Sequence, residues 1–196
     1  MLMGMMGKDN TKPIGKNTDQ ISKQESQTGD PTAFFEKQLE RTNSWLNFAE
    51  AKSAGMIAVN IALIAVVINL FQSAKVLTTI TVIVLILSSL LCLITFFPNL
   101  GKNVVKDEEK SNSKKLNLVF FGDISKMSSA EEYIDNVVNN YYPGDDDFKN
   151  DILIRDLAEE IVVNSQITVK KYSLFRKAVL ADIVAFIFAI TTFVAA

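Results

Sequence analysis

Residues 53–72 read SAGMIAVNIALIAVVINLFQ, and residues 76–97 read VLTTITVIVLILSSLLCLITFF. Each block has about the 20 apolar residues that an α-helix needs to cross a hydrocarbon core of roughly 30 Å. Lys75 is the only charge between Lys52 and Lys102. The polar turn Gln72-Ser73-Ala74-Lys75 between the blocks is so short that it predicts an antiparallel hairpin, and Pro98 follows the second block. A third block, residues 178–196 (AVLADIVAFIFAITTFVAA), has a single charge, Asp182. The reading is a mainly α integral membrane protein with three transmembrane helices, a hairpin plus a C-terminal span.

The rest of the 196 residues is polar. The mean hydropathy of +0.20 is therefore an average of nearly pure apolar blocks and ordinary soluble sequence. The segments predicted are a disordered cytoplasmic tail at 1–30, a cytoplasmic extension of the first membrane helix at 31–52, the two spans of the hairpin at 53–72 and 76–97, a cytoplasmic module at 98–177 and the last span at 178–196. The tail is rich in Lys, Asn, Gln, Ser, Thr and Gly and lacks the apolar centre of a signal peptide.

Orientation follows from the basic residues. Seven lie at or before Lys52, one is Lys75, and twelve lie from Lys102 to Lys177. With the hairpin turn outside, all but Lys75 fall on one side, which the positive-inside rule makes the cytoplasm. This orientation gives a cytoplasmic N-terminus and a C-terminus on the far side of the membrane. Inside the spans, Asn60 and Asn69 do not share a face. Asp182, five residues past Lys177, is placed near the hydrated interface. These polar groups make helix–helix hydrogen bonds and an interfacial acid, or else line a pore or mediate oligomer contacts.

Two long helices are expected to leave the membrane for the cytoplasm. From Pro31 to Gln72 no further Pro occurs and the one Gly is Gly55, while Asp151 to Ala196 has neither residue. At 1.5 Å per residue the first would extend about 60 Å, roughly half of it outside the bilayer. Arg41, Trp45, Phe48 and Lys52 share a stripe at i, i+4, i+7 and i+11, and Leu157, Ile161, Asn164, Thr168, Lys171 and Phe175 share another on the last helix. Lys170, Lys171, Arg176 and Lys177 form a cationic anchor at the inner leaflet. Between the long helices, Lys102–Lys115 reads as a loop and Leu116–Phe121 as a short strand or buried extended segment. Ser128–Glu131 opens a capped helix with Tyr133, Ile134, Val137 and Val138 as its apolar face. Residues 143–147 (PGDDD) read as an acidic turn without the spacing of a calcium loop.

Several chemistries lack their residues. There is no histidine, and the single cysteine, Cys92, lies inside an apolar block, so Ser-His and Cys-His dyads and the usual zinc ligands are excluded. The scattered glycines form no phosphate-gripping loop. With 20 basic against 22 acidic residues, no nucleic-acid polymer is indicated as partner. No catalytic residues, metal site or cofactor are expected, and the chain does not read as an enzyme.

Three blocks carry a resemblance: residues 41–52 (RTNSWLNFAEAK), residues 117–124 (NLVFFGDI) and residues 156–176 (DLAEEIVVNSQITVKKYSLFR). In order, spacing and membrane layout the chain from Phe34 to Ala196 resembles the transmembrane Pycsar effector family of bacterial antiphage defence. That resemblance implies an activating ligand, a cyclic pyrimidine nucleotide (cCMP or cUMP) made by a cyclase during infection. It also implies impairment of the inner membrane and abortive infection, with the lipid bilayer as target. A homo-oligomer is expected, because three short spans alone enclose no pore.

A cyclic phosphate wants a cation, and a pyrimidine wants hydrogen-bonding groups and a stacking partner. Arg41, Asn43 and Trp45 on the first long helix, with Asn164 and Lys171 on the last, would meet near the membrane if these helices pack antiparallel. The same residues also suit a purely structural role, tying the two helices together. The competing function is a membrane-anchored adaptor whose cytoplasmic module binds a protein partner.

Overall fold

The computed structural model describes residues 30–70, 74–97, 116–144 and 147–195. Asp30 caps the first helix, α1 (Pro31–Val67), by accepting the Thr32 amide at 2.9 Å. Pro31 occupies the first helical position, where its missing N–H leaves nothing unpaired. α1 runs unbroken through Gly55 and ends in a 3-10 turn, Ile68–Leu70. The hairpin turn expected at 72–75 lies largely outside the described residues. α2 (Lys75–Ile94) returns across the membrane and closes in turns through Phe97. The tail at 1–29 and the loop at 102–115 lie outside the described residues.

The last helix, α5 (Ile152–Ala195), is one rod of 44 residues, about 66 Å long. Asp151 starts it by accepting the Leu153 amide at 2.8 Å. α1, α2 and α5 are each long and apolar enough to cross a membrane, and the protein is a membrane protein. Their large apolar side chains, among them Ile61, Ile83, Leu87, Ile183 and Phe186, face outward. Small and polar residues fill the seam between them: Ser53 and Asn60 from α1, Thr81 and Ser88 from α2, Ala178 and Ala185 from α5. Small residues let helix backbones approach closely where lipid supplies no hydrophobic drive.

Outside the spans, a small module packs two short helices, α3 (Phe121–Ile124) and α4 (Ala130–Tyr141), against the N-terminal halves of α1 and α5. Ser129 caps α4 by accepting the Glu132 amide at 3.2 Å, and Glu132 reaches back to the Ser128 amide at 2.8 Å. The expected apolar face of α4 is buried in full: Tyr133, Ile134, Val137 and Val138 meet Phe35 of α1 and Ile154, Ala158 and Ile161 of α5. The Phe35 and Tyr133 rings contact edge to face at 5.7 Å. Gly144 turns the chain after α4 with a φ of 92°, a left-handed conformation that an L side chain resists. Asp145 and Asp146 lie outside the described residues.

One expectation is corrected. The short strand read at 116–121 is absent, and no strand occurs among the described residues. With no second strand beside it, this segment satisfies its backbone through side chains and turns instead. Asn117 Oδ1 accepts the Val119 amide at 3.0 Å, the Tyr133 hydroxyl donates to the Leu118 carbonyl at 3.0 Å, and Gln38 Nε2 donates to the Val119 carbonyl at 3.0 Å. Leu118 is buried, and Phe121 already begins α3.

Candidate functional site

α1 and α5 leave the module side by side and run in the same direction. Asn164 Nδ2 donates to Asn43 Oδ1 at 2.9 Å, and Lys171 pairs with Glu50. Both contacts join residues 121 positions apart. A constant difference, rather than a constant sum, identifies a parallel pair. The antiparallel packing expected for these helices is therefore corrected. It follows from topology: both helices start in the module and enter the membrane from it, so only α2 runs the other way.

This register places the five candidate residues on two flanks of the buried α1 stripe formed by Phe35, Gln38, Thr42, Ala49 and Ser53. Asn43, Asn164 and Lys171 gather on one flank with Glu50. Lys171 is buried, and its ammonium is held by the Glu50 carboxylate, the compensation that a buried charge requires. Arg41 and Trp45 lie on the other flank. The structure does not bring all five into one pocket.

The second flank is an aromatic and cationic surface where the module meets the membrane. Arg41 Nη1 donates to Gln38 Oε1 at 3.1 Å. The Trp45 ring lies 5.5 Å from Phe121, which stacks on Tyr172 at 5.6 Å with an interplanar angle of 22°. Lys52 Nζ sits 4.4 Å from the Phe48 ring centre, 5.3 Å from Tyr172 and 6.0 Å from Phe175. These are distances at which a cation is attracted by ring faces. Among the described residues neither Arg41 nor Lys52 makes an ion pair with a carboxylate. Gly122 makes room for this surface: a Cβ there would lie 2.5 Å from the Phe120 ring. Burial raises the Tyr172 phenol above the ordinary tyrosine range, so it is neutral at physiological pH.

The arrangement offers flat apolar faces to a planar ring, with one cation, Arg41 or Lys52, toward each end of the stripe. Trp45, Phe48 and Phe120 are all substantially exposed. The open clefts elsewhere on the module are acidic. One is bordered by Asp30, Asp147 and Asp151, the other by Glu36, Glu40 and Asn43. Both disfavour a phosphate by charge. The sequence had marked the Arg41-Trp45-Phe48-Lys52 stripe, but Phe121, Tyr172 and Phe175 were not among the candidate site residues. Their contribution arises only when α3 and α5 close on α1. Among the described residues no three His, Cys, Asp or Glu side chains gather as a metal site.

The model of the Pycsar effector protein domain matches residues 34–196, the module and all three spans together. The chain belongs to the Pycsar effector family. This Pycsar effector therefore has a role in Pycsar antiphage defence. Comparison with curated proteins and with solved structures returns no match.

Proposed function

We propose that this Pycsar effector senses a cyclic pyrimidine nucleotide, cCMP or cUMP, and in response impairs the bacterial inner membrane, ending infection by loss of the host cell. The family match over residues 34–196 carries this reading. The continuity of α1 and α5 supports it, because each is a single helix with one half in the module and the other in the span. The protein acts physically on the bilayer rather than by catalysis, as a homo-oligomer, with its N-terminus in the cytoplasm and its C-terminus outside.

Of the five candidate residues, Arg41 and Trp45 are assigned to the ligand in this reading, because their surface is open and carries a cation and exposed rings. Arg41 suits the cyclic phosphate, and the exposed faces of Trp45 and Phe48 suit the pyrimidine ring. Asn43, Asn164 and Lys171 act on the other flank by holding α1 to α5. Co-expression with an active pyrimidine cyclase, scored by membrane potential, tests the function. Depolarisation with the active cyclase and none with an inactive one is expected. No depolarisation under either condition favours the adaptor. Calorimetric titration of cCMP and cUMP into the full-length protein tests the surface: Arg41→Ala is expected to weaken binding at least tenfold, and unchanged affinity removes Arg41 from the site.

A further inference from the structure

Two registers fix the heights of side chains along the bundle. Between α1 and α5, contacts join residues 121 apart, so Tyr172 lies level with Ala51 and Arg176 with Gly55. Between α1 and α2, Asn60 Nδ2 donates to Ser88 and Ser89 at 3.4 and 3.2 Å. That antiparallel pairing sets Phe96 and Phe97 level with residues 51–53. Ring contacts place α3 on the same scale. Phe121 touches Trp45 on its module side and Tyr172 on its membrane side. It therefore lies at about the height of Phe48, as does Phe120, whose ring is 4.8 Å from it.

Four exposed rings, Phe48, Phe96, Phe97 and Phe120, thus occupy one slab between the heights of residues 48 and 53. Five residues of helix rise about 7.5 Å. A headgroup layer has the same thickness, since headgroups add roughly 5–8 Å to each side of the hydrocarbon core. The slab ends at Ser53, where the apolar run of α1 begins. Three separate segments supply these rings, so no single helix period explains their common height.

Cations accompany the rings. Lys52 lies inside the slab, held over ring faces rather than by a carboxylate. Arg176 is exposed and follows Tyr172 by one turn on the same face of α5. A helix tilts its side chains toward its N-terminus, which for Arg176 is toward the slab. Neither Lys52 nor Arg176 makes an ion pair among the described residues. Apolar rings flanked by Lys and Arg form the kind of surface that sinks into the headgroup boundary.

We propose that Phe48, Lys52, Phe120 and Arg176 form a seat for the headgroup of an anionic phospholipid, which makes α3 a membrane contact. A lipid fits better than a free phosphate, because the seat is continuous with the membrane-spanning surface and its rings need apolar cover as well as an anion. The seat shares Phe48 with the surface proposed for the nucleotide but does not rest on nucleotide sensing.

Two measurements on the full-length protein test it. In detergent, added phosphatidylglycerol is compared with phosphatidylcholine of the same chains and with inorganic phosphate at equal concentration. Phosphatidylglycerol is expected to raise Tm by roughly 3 °C or more over phosphatidylcholine. Combining Lys52→Gln with Arg176→Gln is expected to remove the difference. Equal Tm in the two lipids overturns the seat, and that comparison needs no variant to fold. A rise that inorganic phosphate reproduces overturns it in favour of free phosphate, and a rise that the double variant retains puts the lipid elsewhere and overturns it too. In nanodiscs, combining Trp45→Phe with Phe120→Trp moves the sole tryptophan to the edge of α3 and keeps a ring at both positions. A lipid with a nitroxide on its headgroup is expected to quench the emission at least twofold, and aqueous acrylamide to quench it little. Strong acrylamide quenching without nitroxide quenching overturns the membrane contact. No nucleotide is present in either measurement, so the nucleotide reading stands or falls separately.

Discussion

Lys171 of α5 pairs with Glu50 of α1 in a setting where the two partners differ in exposure: the lysine side chain is 9% exposed and the glutamate 36%. The partners are therefore not equivalent. Glu50→Gln leaves a buried ammonium without its counter-charge and is expected to cost about 1–2 kcal/mol, between surface and fully buried values. Lys171→Met leaves a carboxylate that can turn to water and is expected to cost less. Thermal unfolding of the two variants and the double variant checks this, and strictly additive effects would contradict a coupled pair.

Phe35 anchors the base of α1 in the module core, edge to face with Tyr133. Phe35→Ala is expected to destabilise the module by about 3–5 kcal/mol through the cavity it leaves. Limited proteolysis within residues 116–150 reads this directly. A loss below about 1 kcal/mol would mean that α1 does not depend on α4 for its seat.

Burial pushes the phenol of Tyr133 above the ordinary tyrosine range, and burial raises Tyr142 and Tyr172 in the same direction. A raised folded-state value means that the stabilisation is complete below the unfolded pKa of about 10. As pH rises further, the unfolded chain releases its protons first, and stability falls until the buried phenols themselves ionise. Tyr133→Phe is expected to cost about 1 kcal/mol at neutral pH, through the lost bond to the Leu118 carbonyl. The same change makes the decline above pH 10 shallower. Unfolding curves from pH 8 to 12 check both effects.

Orientation is open to labelling. In a Cys92→Ala background, Lys75→Cys is expected to react with an impermeant maleimide in cells whose cytoplasmic membrane is intact. Lys37→Cys is expected to react only after permeabilisation. The reverse pattern would invert the protein in the membrane.

Both long helices were legible because Gly and Pro are absent from α5 and nearly so from α1. The buried face of α4 was legible from its spacing. Residues 116–121 misled because Leu, Val and Phe favour strands, while a strand needs a neighbour that local composition does not reveal. Here Gln38 and Tyr133 supply the hydrogen bonds that a neighbouring strand would have made. The candidate site was half legible. The α1 stripe is periodic along one helix, whereas the rings of Phe121 and Tyr172 join it only through tertiary packing. The burial of both Asp182 carboxylate oxygens was hidden for a similar reason, since distance from Lys177 fixes depth along α5 but not azimuth around it.

The repeated spacing between α1 and α5 also restricts how these helices can move. A slide by one turn, about 5.4 Å, that brought Asn164 to Asn47 would carry Lys171 to Ala54. A slide the other way would carry Lys171 to Leu46 or Asn47. Neither restores both contacts, so the two bonds act as a detent against axial travel, holding the rods at one longitudinal setting. Displacement of α1 against α5 is left with rolling or splaying apart, which change the width of the bundle while its length stays the same.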